Sequence, residues 1–101
     1  MTHLDLRSTG TAHYVTVAGD LDLAGVTILR APLLDIVTSA PRRTVLDLAE
    51  VSLLASAGIR LLVEAAKILR ANGAQLVLHH PQEFVAGVLR MAGLDSLVVI
   101  E

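Results

Sequence analysis

Apolar and polar residues alternate near the start of the chain in a way that predicts two short strands. Leu4 and Leu6 are separated by a polar residue, which is the spacing of a strand with one buried face. A turn-forming segment at 9–11 follows, and Tyr14–Val17 is a second strand-like run that ends at Gly19. The short turn predicts that these two strands form an antiparallel pair.

The rest of the chain alternates between short apolar runs and longer segments with helical spacing. The short runs predict buried strands at Thr44–Leu48, Gln75–Leu78 and Val98–Ile100. The longer segments predict helices at Leu23–Val37, Gly58–Ala71 and Pro81–Ala92. Pro32 lies inside the first of these helices, where a proline is expected to kink the helix or to mark a restart.

The predicted order of elements is therefore ββαβαβαβ. Repeated strand-helix-strand units imply right-handed crossovers, so we expect an α/β fold with a mixed, mostly parallel sheet. The first strand pair leaves little chain to cover a second face, so we expect the helices to pack mainly on one face. With 101 residues and no linker, the chain fits a single domain, 1–101.

The helix at Gly58–Ala71 has the clearest pattern. A narrow polar stripe contains Arg60, Glu64, Lys67 and Ala71, and the broad opposite side contains Ile59, Leu62, Val63, Ala66 and Leu69. Such a helix is expected to lie against a sheet, and Gly73 is suited to a left-handed position after its end. The residues expected in the core are Val45, Leu46, Leu62, Val63, Ala66 and Val77.

Composition and charge exclude several classes of function. Only 2% of the residues are aromatic and the formal net charge is −2, which argues against a nucleic-acid partner. The chain has no cysteine, so neither a disulfide nor a thiolate metal site is expected. No signal-peptide pattern and no apolar run of roughly 20 residues is present, so we expect a cytoplasmic protein without membrane insertion.

The polar residues give no pattern for catalysis, a metal ion or a cofactor. His79 and His80 are adjacent on a predicted strand, so they face opposite sides and do not readily bind one ion. A nucleophile elbow around Ser56 would need a glycine where Leu54 stands. No glycine-rich phosphate loop is present. We therefore expect a protein that is not an enzyme.

Ser56 lies where a predicted strand leads into a predicted helix. The first amides of a helix have no partners in the helix, so a phosphate on Ser56 would be well placed. The same position also suits a serine that only caps the helix.

The other notable cluster, Gly19–Asp22, places Asp20 and Asp22 at a strand end. Gly19 could simply make the turn while Asp22 caps the next helix. Because carboxyl ends of parallel strands share an edge, we expect this cluster to lie beside Ser56.

These segments resemble the STAS domain of bacterial anti-sigma factor antagonists, over nearly the whole chain. Gly19–Asp22 resembles the Gly-Glu-Leu-Asp turn of that family, and Leu46–Leu54 resembles its strand and loop before the switch. Ala55–Ile59 resembles the Asp-Ser-Ser/Ala-Gly-Leu/Ile switch motif, and Met91–Leu94 resembles a Met-Ser-Gly-Leu segment. The order and spacing of the segments are more specific than any one of them.

The resemblance implies a partner switch. It implies that the unphosphorylated domain binds an anti-sigma factor with serine kinase activity, that phosphorylation at Ser56 ends this binding, and that a phosphatase restores it. The partner-binding residues that the resemblance implies are Asp20, Asp22, Ala55, Ser56, Ala57 and Gly58.

One position departs from the family pattern, and two other functions stay open. The family commonly has Asp before the switch serine, and this chain has Ala55. If that carboxylate aids transfer, phosphorylation here would be slow or absent.

STAS domains also serve as non-catalytic subunits of lipid-transport ABC complexes or stress-signalling scaffolds. A small-ligand or nucleotide sensor is the third possibility, and it would show a defined pocket.

Overall fold

An antiparallel strand pair and three further parallel strands form one five-stranded sheet in the computed structural model, which describes residues 2–101. The strands lie in chain order, and only the first pair is antiparallel. They are β1 (His3–Ser8), β2 (Ala12–Ala18), β3 (Arg43–Glu50), β4 (Leu76–His79) and β5 (Val99–Ile100). The predicted element order and the mostly parallel sheet are both confirmed.

Three α-helices connect the parallel strands, and a short 3₁₀ helix at Leu94–Ser96 precedes the last strand. The α-helices are α1 (Leu23–Ser39), α2 (Ser56–Ala71) and α3 (Glu83–Met91). The restart expected at Pro32 does not occur, because α1 continues through this residue. Pro32 and Ile28, whose carbonyl group loses its helical partner, are both exposed, so water can reach that carbonyl group.

The core lies between the helices and one face of the sheet. Alternate residues of the strands join one buried cluster with residues from all three helices, as the period of two along a strand requires. The strand members of the cluster are Val15, Val17, Leu46, Leu48, Leu76 and Leu78. Helices therefore pack mainly on one face, as expected, and Tyr14 and Thr16 on the other face are exposed.

The buried side of α2 is rotated slightly from the prediction. Leu62 and Ala66 are fully buried as expected, but Val63 is only partly buried, so its assignment to the core was wrong. Leu61, which the prediction left out, is buried instead. The helix packs against α1 as well as the sheet, and Val63 packs against the core from a partly exposed position. The other expected core residues, Val45, Leu46 and Val77, are buried.

β1 forms one edge of the sheet and is more exposed than the sequence predicts. Leu4 is partly buried, but Leu6 is 40% exposed.

At the far end of α2, Gly73 has the expected left-handed backbone with φ 72°.

Candidate functional site

The loops that follow β2 and β3 are hydrogen-bonded to each other. The amide of Leu21 donates to the carbonyl oxygen of Leu53 at 2.9 Å, and the amide of Ala55 donates to the carbonyl oxygen of Leu21 at 3.0 Å. Leu21 and Leu54 thereby form an isolated parallel bridge beyond the ends of the two strands. The expectation that the acidic cluster lies beside Ser56 is confirmed at the level of the backbone.

Asp20 is exposed on this shared surface. The hydroxyl group of Ser52, in the second loop, donates to Asp20 Oδ1 at 3.2 Å. The hydroxyl group of Thr2 donates to the carbonyl oxygen of Asp20 at 2.9 Å. The Asp20 carboxylate is therefore held at the junction of the two loops and stays accessible to a partner.

Asp22 is the N-cap of α1. Its Oδ1 atom accepts a hydrogen bond from the amide of Gly25 at 2.9 Å, so the capping interpretation of this residue is confirmed. The side chain is only half-buried. Asp22 thus stabilises the helix and also leaves negative charge at the surface.

Ser56 is the first residue of α2 and its side chain is exposed. The N-cap is Ala55, which has no side chain able to accept a hydrogen bond, so the interpretation of Ser56 as a cap was wrong. The first turn of α2 also contains no acidic residue. Among residues 2–101 the Ser56 hydroxyl group makes no hydrogen bond. The positive end of the helix dipole is therefore not compensated, and a phosphate on Ser56 would lie beside free amides.

Gly58 is buried and determines how closely α2 approaches the first loop. A Cβ atom at this position would lie 2.8 Å from the Leu21 carbonyl oxygen and 2.7 Å from Leu54 Cδ1. Only glycine fits this approach without a shift of the backbone. Gly58 thus positions Ser56, whereas Ala55 and Ala57 are half-buried beside it.

The same edge carries exposed apolar residues that the sequence did not indicate as functional. Leu23 begins α1 and is 73% exposed, Leu53 lies in the loop before Ser56 and is 40% exposed, and Phe84, near the start of α3, is 67% exposed. The Gln82 side chain donates to the Ala49 carbonyl oxygen at 3.0 Å, which places the start of α3 beside the end of β3. An apolar residue in the first turn of a helix is the only signal that could have identified Leu23 and Phe84.

The cavities do not point to a small-molecule site at Ser56. A hollow of about 290 Å³ adjoins the acidic loop and is lined by Thr2, Asp20, Asp22, Ala24 and Ile28. A second cavity, of about 540 Å³, lies away from Ser56 near the amino ends of β4 and β5, between the end of α2 and the 3₁₀ helix. Residues 2–101 contain no cluster of three or more candidate metal ligands, and none of the helices they form could cross a membrane.

The chain belongs to the STAS-domain family. A family model described as "Mlab, STAS domain" matches residues 4–100, which is nearly the whole chain. The resemblance seen in the sequence is thereby confirmed.

Three solved structures show the same fold at low sequence identity. A proposed anti-sigma factor antagonist from Thermotoga maritima is 19% identical with a TM-score of 0.86, over 96% of this chain and 84% of that one. An anti-sigma factor antagonist from Mycobacterium paratuberculosis is 20% identical with a TM-score of 0.83, over 99% of this chain and 85% of that one. The phosphorylated form of SpoIIAA, a Bacillus cell fate determinant, is 19% identical with a TM-score of 0.78, over 98% and 91%. Below 25% identity this likeness establishes the fold alone.

Proposed function

We propose that the protein is an anti-sigma factor antagonist whose binding is switched at Ser56. The observation that carries the proposal is an exposed serine at the uncapped N-terminus of α2, beside the acidic loop that contains Asp20 and Asp22. In this proposal the unphosphorylated protein binds an anti-sigma factor with serine kinase activity, in the cytoplasm. The protein acts by binding and is not an enzyme.

Phosphorylation would change the surface without unfolding the domain. A phosphate adds a charge of about −1.5 to −2. The free amides of the first turn of α2 can donate hydrogen bonds to the phosphate oxygens, so the helix tolerates the modification. The surface already carries the carboxylates of Asp20 and Asp22, so the phosphate gives it strong negative charge in one place. A partner that docks on the neutral serine would then be repelled, and a phosphatase would restore binding.

The apolar residues of the same edge supply the binding energy in this proposal. Leu23, Leu53 and Phe84 follow three adjacent strands, β2, β3 and β4, so Ser56 lies between them along the edge. Exposed apolar side chains rimmed by polar groups are typical of a protein interface. A charge introduced at Ser56 would lie in the middle of this interface.

The proposal is supported by the phosphorylated structure of SpoIIAA, which shows that this fold accommodates a phosphate. The absence of a carboxylate at Ala55 means that the kinase must transfer the phosphoryl group without help from that side chain.

The test begins with capture of partners from native lysate, followed by binding assays with the purified anti-sigma factor. We expect Ser56→Asp to weaken binding at least tenfold and Ser56→Ala to bind like wild type but to take up no phosphate from ATP and the kinase. Ser96→Asp is the matched control, because it adds the same charge at an exposed position near the amino ends of β4 and β5, away from Ser56. Equal binding by Ser56→Asp and wild type would refute the switch.

A second candidate function is a non-catalytic STAS subunit of a lipid-transport ABC complex or of a stress-signalling scaffold. The description of the family model that matches the chain names Mlab and does not name an anti-sigma factor antagonist. In addition, Ala55 departs from the switch motif. Capture of an ABC transporter ATPase or of scaffold subunits, with no kinase among the captured proteins, would favour this function.

A further inference from the structure

The first strand leaves a long unpaired edge. β1 is the outer strand of the sheet and its six residues pair with β2 without a register shift, whereas the opposite edge strand β5 has only two residues. Five of the six residues are exposed. An open strand edge offers unpaired N–H and C=O groups, and proteins commonly protect it with proline, charged side chains or a bulge. β1 has no proline and no bulge, and its charged residues Asp5 and Arg7 have opposite signs.

The hairpin pairing shows which backbone groups of β1 face outward. The amide of Thr9 donates to the carbonyl oxygen of Ala12 at 2.8 Å, which makes this pair a hydrogen-bonded one. Hydrogen-bonded and non-hydrogen-bonded pairs alternate along antiparallel strands. His3, Asp5 and Arg7 therefore bond to β2, and the backbone groups of Leu4, Leu6 and Ser8 point away from the sheet.

We propose that two copies of this chain associate by antiparallel pairing of their β1 strands about a two-fold axis at Leu6. This register joins the outward-facing groups of Leu6 with those of Leu6 in the second copy, and those of Leu4 with those of Ser8. It also places Asp5 opposite Arg7 of the second copy, twice by symmetry. These are non-hydrogen-bonded pairs, in which side chains come closest.

Other two-fold registers fit less well. An axis at Leu4 or at Ser8 keeps the outward groups paired but moves much of each strand beyond the end of its mate. Neither axis brings Asp5 opposite an arginine. An axis at Asp5 or at Arg7 also pairs the outward groups, but it places that charged residue opposite its own copy, so two like charges meet. The axis at Leu6 alone pairs residues 4–8 with their mates and brings opposite charges together, so the charge pattern of β1 complements itself.

The association leaves the proposed switch surface free. Asp5 and Arg7 lie on the helix-free face, where the Arg7 guanidinium is 5.5 Å from the centre of the Tyr14 ring. Ser56 follows β3, two strands away from β1, so each copy keeps its own accessible serine. The proposal is thus independent of the proposed function, and the failure of one does not affect the other.

Charge exchange tests the register by sedimentation equilibrium. We expect wild type to shift from monomer to dimer mass with concentration, and Asp5→Arg or Arg7→Asp alone to weaken the dimer roughly tenfold or more. The double variant Asp5→Arg/Arg7→Asp should recover the dimer, and so should an equimolar mixture of the two single variants. Wild type that stays monomeric at about 1 mM would overturn the proposal. So would a dimer that the single variants leave unchanged, provided that each melts cooperatively.

A cysteine cross-link locates the axis independently, because the natural chain has no cysteine. Leu6→Cys places its thiol opposite its own symmetry mate, at the Cα separation of about 5.5 Å that suits a disulfide. Ser8→Cys is the matched control, because its thiol would face Leu4 of the second copy. We expect oxidation to give covalent dimer from Leu6→Cys at least tenfold faster than from Ser8→Cys. Equal rates would overturn the proposed register.

Discussion

The amide of Ala55 and the carbonyl oxygen of Leu21 are joined by a 3.0 Å hydrogen bond, which fixes the start of α2 against the loop that begins α1. Both helix N-termini therefore lie at one edge of the sheet. Their capping differs, because Asp22 caps α1 and no side chain caps α2. The site thus has one compensated and one uncompensated helix end, and the exposed serine lies at the uncompensated end.

The close approach of Gly58 to Leu21 predicts a large effect of one methyl group. Gly58→Ala should destabilise the fold by about 1–3 kcal/mol, because the added Cβ would lie against the Leu21 carbonyl oxygen. Gly87→Ala is the control: nothing lies within 4 Å of its Cβ position inside α3, so it should stabilise the fold by about 0.5–1 kcal/mol. Urea unfolding of both variants measures the difference. Equal effects would show that the two loops can separate without cost.

The capping bond of Asp22 separates its structural role from its charge. Asp22→Ala should lower stability by about 0.5–2 kcal/mol, because Gly25 loses its acceptor, whereas Asp22→Asn keeps an acceptor and should stay near wild type. Partner binding would then be measured with Asp22→Asn. Weaker binding by this variant would assign the negative charge to the interface, and unchanged binding would leave Asp22 with capping alone. Asp22→Lys would remove the capping acceptor and reverse the charge at the same time, so it cannot separate the capping role from the charge.

The buried face of α2 predicts a contrast between two leucines. Leu62→Ala should cost about 2–5 kcal/mol, because Leu62 is fully buried in the core. Leu23→Ala removes the same atoms from a residue that is 73% exposed, so the melting temperature of this variant should differ little from that of wild type. Leu23→Ala should instead weaken binding to the proposed partner. A large melting shift in Leu23→Ala would indicate that this residue supports the fold.

Much of the fold could be predicted from the sequence because hydrophobic period and turn residues act locally. The apolar strand runs and the helical pattern of α2 predict the element order, and Gly73 predicts where α2 ends. The errors depend on tertiary context. Val63 is only partly buried, and the side of α2 that is covered depends on α1 as well as on the sheet. Pro32 is tolerated because it and Ile28 are exposed.

The candidate site could be predicted in its location but not in its details. Because the carboxyl ends of parallel strands share an edge, the sequence correctly predicts that the loop of Asp20 lies beside the loop of Ser56. Which residue caps α2 depends on where the helix begins, and a difference of one or two residues exchanges Ser56 for Ala55. The exposed apolar residues Leu23, Leu53 and Phe84 were missed because sequence patterns assign such residues to the core by default.

His13 connects the β1–β2 hairpin to the segment before β3. It is fully buried, with Nε2 2.7 Å from the Ala40 carbonyl oxygen and Nδ1 2.7 Å from the Ser8 hydroxyl oxygen. A carbonyl oxygen only accepts, so Nε2 donates to it, and in the neutral ring Nδ1 accepts from the serine. His13→Phe should cost about 1–3 kcal/mol, because the Ala40 carbonyl loses its donor. His3→Phe, at an exposed position, should change the melt little.

Ala55 offers the sharpest test of whether the switch operates in this chain. Ala55→Asp and Ala55→Asn should both raise stability by about 0.5–2 kcal/mol, because each supplies the side-chain acceptor that the N-terminus of α2 lacks. Since both variants add a cap, a difference between them in a labelling assay with the kinase and ATP reports the effect of the carboxylate charge and not of the cap. Faster labelling of Ala55→Asp alone would show that the carboxylate aids transfer. Labelling of Ala55→Asp but not of wild type would mean that the natural protein binds its partner constitutively. No labelling of wild type or of either variant would reject control by a kinase and favour the role of a structural subunit.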